Sequence, residues 1–97
     1  MESVRLDVFL WAARFFKTRS LSRQMIESGR IRIDGQTVKP ARAIRPGVVL
    51  SLRQGRNRRR IEVLALSDTR GPASMAQTLY RDLDPPQPVD PFDDDLD

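Results

Sequence analysis

The sequence predicts a small α+β domain: two N-terminal helices packed on a small antiparallel sheet of short strands, plus a C-terminal helix. Three observations predict it. Apolar residues recur at helical spacing near the two ends of the folded part, in residues 6–28 and 72–83. Between them the period falls to two, and Gly-containing pairs mark tight turns. With 97 residues, the chain makes one domain with a small core.

In the first helix, Leu6, Phe9, Leu10 and Ala13 follow the i, i+3, i+4, i+7 rule, which predicts helix over 6–15. Its other side, Val8, Trp11, Ala12 and Phe15, is also apolar, so both sides need cover. Thr18 or Ser20 can cap a second helix that runs to about Ser28 and stops at Gly29. Ser22, Met25 and Ile26 would face inward, with Arg19 and Arg23 side by side next to them. The free N–H groups of that helix's first turn suit phosphate. Ile31-Arg32-Ile33 then alternates, and Asp34-Gly35 is a two-residue hairpin signal, with Val38 on the return strand. Pro40 and Pro46-Gly47 punctuate a loop. Residues 48–52 and 60–66 read as two more strands around a turn at 54–58. Pro72 suits the first position of a third helix, whose Ala76, Leu79, Tyr80 and Leu83 share one side. That side is expected to dock on the first helix and complete the core. The Pro/Asp-rich residues 85–97 cannot bury apolar area and are expected to be disordered.

Composition narrows the function. There is no cysteine and no histidine, which removes thiolate metal sites and the commonest general base. No apolar run approaches the roughly 18 residues that span a bilayer, and no secretory signal layout is seen at the start. A cytoplasmic location is expected. Residues 1–70 hold 16 Lys/Arg against 6 Asp/Glu, a net +10, while residues 71–97 hold one Arg against seven Asp, a net −6. A domain at +10 carries the electrostatic footprint of a nucleic-acid binder. Fifteen of the 17 cations are Arg, whose planar fork suits phosphate and base stacking. Asp93, Asp94 and Asp95 lack fixed geometry for a divalent ion, so no metal or other cofactor is expected.

Cations sit where the second helix starts, where the hairpin turns and where a loop leaves it. Lys17, Arg19 and Arg23 with Lys39 and Arg42 form the strongest candidate phosphate surface. Residues 56–60 form a weaker one, a basic turn adding non-specific affinity. Asp7 is expected to hold an Arg or cap its helix, and Trp11 and Phe15 to be core. A DNA-binding helix-turn-helix is the alternative, but its second helix would offer base edges mainly Arg23 and Gln24. Nothing resembles a nucleophile–base pair or a cofactor loop, so no enzyme is expected.

Residues 5–53 resemble the RNA-binding domain named after ribosomal protein S-four. The matching signals are Arg5-Leu6-Asp7, Lys17-Thr18-Arg19-Ser20, Gly29-Arg30, Asp34-Gly35, Lys39-Pro40 and Gly47. Leu10-Trp11-Ala12-Ala13-Arg14-Phe15, Leu52-Arg53-Gln54-Gly55, Pro72-Ala73-Ser74 and Leu79-Tyr80 narrow it to the bacterial fifteen-kilodalton heat-shock, ribosome-associated group. The expected organisation is therefore an S-four-type domain at 1–70, a docked C-terminal helix at 71–84 and an acidic tail at 85–97. The resemblance implies a non-catalytic, monomeric binder of structured ribosomal RNA on the large subunit, active in recycling stalled particles. Weak DNA binding and no membrane contact would accompany this. The implied RNA-binding residues are Arg5, Arg14, Lys17, Thr18, Arg19, Ser20, Arg23, Arg30, Lys39, Arg42 and Arg45. The chain departs from the family pattern at Asp34, usually asparagine, at Ala41, usually serine, and in its acidic C-terminus.

Overall fold

The structure, a computed structural model, describes residues 1–83, the side chain of Gln54 excepted, and the strand Gln87–Pro88. The chain adopts the α+β architecture that its pattern predicts. In order it forms β1 (Val4–Arg5), α1 (Leu6–Ala12), α2 (Arg19–Glu27), β2 (Ile31–Ile33), β3 (Gln36–Thr37) and β4 (Ala43–Ile44). Then come β5 (Val49–Gln54), β6 (Asn57–Val63), α3 (Ala73–Ala76), a 3-10 turn (Gln77–Leu79), β7 (Tyr80–Asp82) and β8 (Gln87–Pro88). The main antiparallel sheet runs β3-β2-β5-β6-β7, with β8 also paired to β6; β1 and β4 form a separate two-stranded ribbon.

α1 is shorter than the apolar periodicity suggests, because Arg14 takes a left-handed φ of 66°. Arg14 N–H donates to the Trp11 carbonyl at 3.1 Å and Phe15 N–H to the Leu10 carbonyl at 2.9 Å. This paired closure ends the helix and turns Phe15 back toward the core. α2 ends in the same way, at Gly29 with φ 83°, as its glycine predicts. Its start is set by Thr18, whose Oγ1 accepts from Leu21 N–H at 3.0 Å.

Asp34 and Gly35, both at positive φ, make the two-residue turn between β2 and β3, with Ile33 opposite Gln36. The second hairpin is tighter and longer than expected. β5 and β6 pair from Val49↔Glu62 to Gln54↔Asn57, leaving only Gly55 and Arg56 in the turn, and residues 64–66 lie outside the strand. The expected turn at 54–58 is shorter because Gln54, Asn57 and Arg58 continue the ladder.

The core joins Leu6, Phe9, Leu10 and Ala13 of α1 and its cap to Ile26, Ile31, Ile33, Ile44, Leu50, Leu52, Ile61, Val63 and Leu79. Phe9, Leu10, Leu50, Ile61 and Val63 are fully buried. The C-terminal segment corrects the sequence expectation of one helix over 71–84. Only Ala73–Ala76 is α-helical; after the 3-10 turn the chain joins the sheet, Tyr80 opposite Val63 and Asp82 opposite Ile61. Backbone pairing to β6 outweighs helical periodicity here, since a helix through 83 would leave that edge of β6 unpaired. Cover comes from Leu79, which enters the core, and from Tyr80, whose ring lies 4.7 Å from that of Phe15. Leu83, expected to line the buried side, is exposed. The expected acidic tail lies outside the described residues apart from β8, whose pairing with Asn57 and Arg58 places Gln87 and Pro88 on the sheet edge. Among the described residues, no helix is long and apolar enough to cross a membrane.

Candidate nucleic-acid interface

The cationic residues take their places from the packing of α1 on α2. Ser22, fully buried, donates its hydroxyl to the Asp7 carbonyl at 2.8 Å and locks the two helices together. The first-turn N–H groups of α1 are already used: Leu6 donates to the Arg42 carbonyl at 2.9 Å and Asp7 to the Pro40 carbonyl at 3.1 Å. α1 therefore holds loop 39–42 in place. That loop carries Lys39 to the C-terminal end of α2.

An open cleft of about 810 Å3 results, lined by Arg5, Arg23 and Lys39 along with Ile26, Glu27, Gly29, Thr37, Val38 and Ala41. A smaller hollow next to it is lined by Lys39 and Arg42. Arg5 is aimed by a buried carboxylate. Asp7 accepts from Arg5 Nε at 3.1 Å and Nη2 at 3.0 Å, and from Val8 N–H at 2.8 Å. The hydrogen bonds that Arg5 donates to Asp7, with the carboxylate's charge, hold the Arg5 guanidinium pKa above its ordinary value, so it stays cationic. Arg23 pairs with Glu27 at 3.3 Å, both side chains more than half exposed. Such an exposed i,i+4 pair is worth only about 0.3–0.5 kcal/mol, so a phosphate can displace Glu27.

One turn N-terminal to Arg23, Arg19 extends the basic face along α2, its guanidinium 5.9 Å from the centre of the half-buried Trp11 ring. Ser20 is exposed beside it, and the Thr18 hydroxyl is committed to its cap. Lys17 is exposed in the preceding loop. Of the expected set, the fold brings Arg5, Arg23 and Lys39 around one cleft, with Arg42 in the adjoining hollow and Arg19 one turn along α2 from Arg23. Three others stand apart from the cleft. Arg14 donates Nε to the Gly71 carbonyl at 2.7 Å and so ties the C-terminal segment to the end of α1. Arg30 lies with Nη1 3.4 Å from the Met25 sulfur. Arg45 is exposed in the turn after β4. Asp34 is exposed at the hairpin turn and does not line the cleft; Ala41 does.

Sequence reasoning placed Arg59 in a basic turn, yet it is a structural latch. It donates Nε and Nη2 to Asp82 at 2.6 and 3.0 Å and lies over the rings of Phe15 and Tyr80, 5.1 and 5.5 Å from their centres. No local signal reveals this, because Phe15, Arg59 and Asp82 meet only through the sheet. Among the described residues no cluster of acidic side chains could hold a metal ion.

Two interlocked helices on a small sheet, with cations along the second helix and the loop at its end, define a compact domain built to hold a nucleic-acid backbone. Residues 4–50 match the S4 domain family. The chain is 48% identical over 79 residues to heat shock protein 15 of Escherichia coli K12, covering 81% of this chain and 59% of that protein. It is 36% identical over 66 residues to the RQC P-site tRNA stabilizing factor of Bacillus subtilis, covering 68% of this chain and 77% of that factor. The trimeric structure of Vibrio cholerae heat shock protein 15 superposes with a TM-score of 0.79 at 48% identity, covering 84% of this chain and 82% of that one. The chain belongs to the S4 family of RNA-binding domains and is similar over most of its length to heat shock protein 15. It spans about three fifths of the length of the curated heat shock proteins it matches.

Proposed function

We propose that this protein is a non-catalytic binder of structured ribosomal RNA, associating with the large ribosomal subunit in the stress-related recycling of stalled particles. The observation that carries this reading is the basic wall: Arg5, Arg23 and Lys39 around one cleft, continued by Arg19 along α2. RNA helices are read mainly by shape and backbone, so cations on rigid elements suffice without a base-reading helix. The names of the relatives, a heat shock protein and a ribosome quality-control factor, support the ribosomal setting. Its place is then the cytoplasm, with no cofactor, and it acts as a monomer; the trimer of the Vibrio relative is the competing state, which equilibrium sedimentation distinguishes.

The direct test is co-sedimentation with separated ribosomal subunits at moderate salt. Enrichment on large subunits is expected; equal recovery on small subunits, or none on either, would remove the reading. If five to seven cations meet phosphates, log K against log[salt] has a slope of roughly −4 to −6. Duplex DNA should compete less well than folded RNA, and equal competition would favour the helix-turn-helix alternative. The name of the Bacillus relative favours a second reading, in which the bound RNA is transfer RNA. Preferential competition by transfer RNA over ribosomal RNA fragments would select it.

A further inference from the structure

The cleft beside α2 contains a residue that a phosphate site has no use for. Arg5, Arg23 and Lys39 supply its positive charge, yet Glu27 is the one carboxylate among its described lining residues. Glu27 is more than half exposed, and its partner is the equally open Arg23 at 3.3 Å. A carboxylate there opposes an incoming anion and weakens the pull of the wall. The pair itself adds little to the helix at an exposed site.

The floor of the cleft is also unlike a phosphate site. Val38 and Pro40 are half-buried and Ala41 is exposed, and all three line it together with the buried Ile26. At about 810 Å3 the cleft is far larger than one phosphate group and falls within the ~300–1,000 Å3 of small-ligand pockets. A cationic rim, an apolar floor and an acceptor suit an unpaired nucleotide: phosphate on the rim, base on the floor, base edge on the acceptor. The backbone at this end of α2 is already occupied. The carbonyls of Gln24 and Ile26 accept from Ser28 N–H and Gly29 N–H, each at 3.0 Å, and that of Met25 accepts from the Ser28 hydroxyl at 2.7 Å. The Glu27 carboxylate becomes the acceptor once a phosphate draws Arg23 away from it.

That carboxylate also selects the base. It only accepts, and its two oxygens take two parallel bonds from an edge with two neighbouring N–H donors. Guanine has such an edge, in N1–H and the 2-amino group. Adenine and cytosine set a ring acceptor beside their amino group, and uracil flanks its single N–H with two carbonyls. Each of these would turn a lone pair toward the second oxygen. In a duplex the guanine edge is spent on pairing, so the nucleotide has to be bulged or looped out.

We infer that this cleft takes a single unpaired guanine nucleotide of the RNA, its phosphate among Arg5, Arg23 and Lys39 and its pairing edge on the Glu27 carboxylate. The inference rests on the RNA-binding reading and adds one base-specific contact to recognition by shape and backbone. Both members of the Arg23–Glu27 pair then find a partner in the nucleotide.

The test measures the full chain and Glu27→Gln on one RNA hairpin with a single bulged position. That position is guanosine, inosine, adenosine or an abasic site, and thermal unfolding is followed on the same protein samples. The wild type is expected to prefer guanosine to adenosine and to the abasic site by about tenfold, the order of one bidentate base contact. Inosine, which lacks the 2-amino group, should fall between them. Glu27→Gln removes a negative charge, so a wall that reads only phosphate would bind all four hairpins more tightly. The guanine site gives the opposite sign for one of them: Glu27→Gln binds the guanosine hairpin less tightly than the wild type does, and the abasic hairpin equally well or better. The unfolding temperature should hold, because Glu27 is exposed. A change of one size and sign across all four hairpins would overturn the guanine site and leave the RNA-binding reading standing. No binding of the hairpins by the full chain would also overturn it; if large subunits are not bound either, the RNA-binding reading falls with it.

Discussion

Arg14 and Gly29 solve the same problem with different residues. Each stands just past a helix in the left-handed region, at φ 66° and 83°. Glycine takes this conformation without penalty, whereas another residue costs roughly 1–2 kcal/mol there. Arg14 offsets that strain with its hydrogen bond to the Gly71 carbonyl. Arg14→Ala keeps the strain and loses the bond, so it should be less stable than Arg14→Gly by about 1 kcal/mol. Urea unfolding of both variants reads the difference, and equal midpoints would show that the turn is not strained. Arg59 is the second residue whose role is structural. Arg59→Ala removes the Asp82 pair and the contacts with Phe15 and Tyr80, and should cost about 2 kcal/mol. Arg59→Lys should recover little, because an ammonium cannot make the two parallel bonds. The hydrogen bonds that Arg59 donates to Asp82 raise the guanidinium pKa, against the opposing effect of its partial burial. A raised pKa means that the guanidinium's own contribution is complete at and below neutrality and lost only in strong alkali. Moving from pH 6 to 9 should therefore leave this latch intact, and the stability gap between wild type and Arg59→Ala should stay constant over that range.

At the scale of elements, α2 carries the wall and α1 aims it. The Thr18 cap and the Ser22 bond to α1 set where α2 starts and how it lies. Thr18→Ala should cost about 1 kcal/mol of stability. Its effect on RNA affinity should be small once folding is saturated. Arg19→Ala and Arg23→Ala should do the reverse, weakening RNA binding with little change in unfolding temperature, since both side chains are exposed. Affinity loss that merely follows stability loss would argue against direct contact. Both helices, the first hairpin and the Thr18 cap were legible because their signals are local: spacing, a capping hydroxyl, Asp34-Gly35. The C-terminal element was not. Its Ala76, Leu79, Tyr80 and Leu83 fit a helix by period, but its path is decided by an edge of β6 that lies about twenty residues earlier in the chain. A 3-10 turn lets Leu79 reach the core while Tyr80 begins a strand, and periodicity cannot report that switch.

For the whole molecule, the end of the chain is part of the fold up to β7. Leu79 is buried in the same core as Phe9 and Leu50. Leu79→Ala should cost about 2–4 kcal/mol, and truncation after Arg70 should destabilise the domain further and expose Trp11 to quenchers. If that truncated chain unfolds at the wild-type temperature, the C-terminal segment is dispensable and the core closes without it. Deleting residues 89–97 removes five Asp and should leave stability unchanged. The lost negative charge should raise RNA affinity slightly at low salt. The gain should fade as the screening length shrinks to about 8 Å at physiological ionic strength. A gain that persists at high salt would mean a specific contact instead.

The sequence by itself determined the class of fold, the positive character of residues 1–70, the two ends of α2 and the first turn. These are short-range properties, set by neighbours a few residues apart and by total charge. It also pointed to the cations of α2 and loop 39–42. Only the tertiary structure decided which cations share a surface. The helix packing joined Arg5 to Arg23 and Lys39, the Gly71 carbonyl diverted the Arg14 side chain to holding the chain, and Asp82 claimed Arg59. An arginine has the same charge and the same local pattern in each of these roles. What separates them is the partner that folding brings within about 3 Å, and that partner lies far away in sequence.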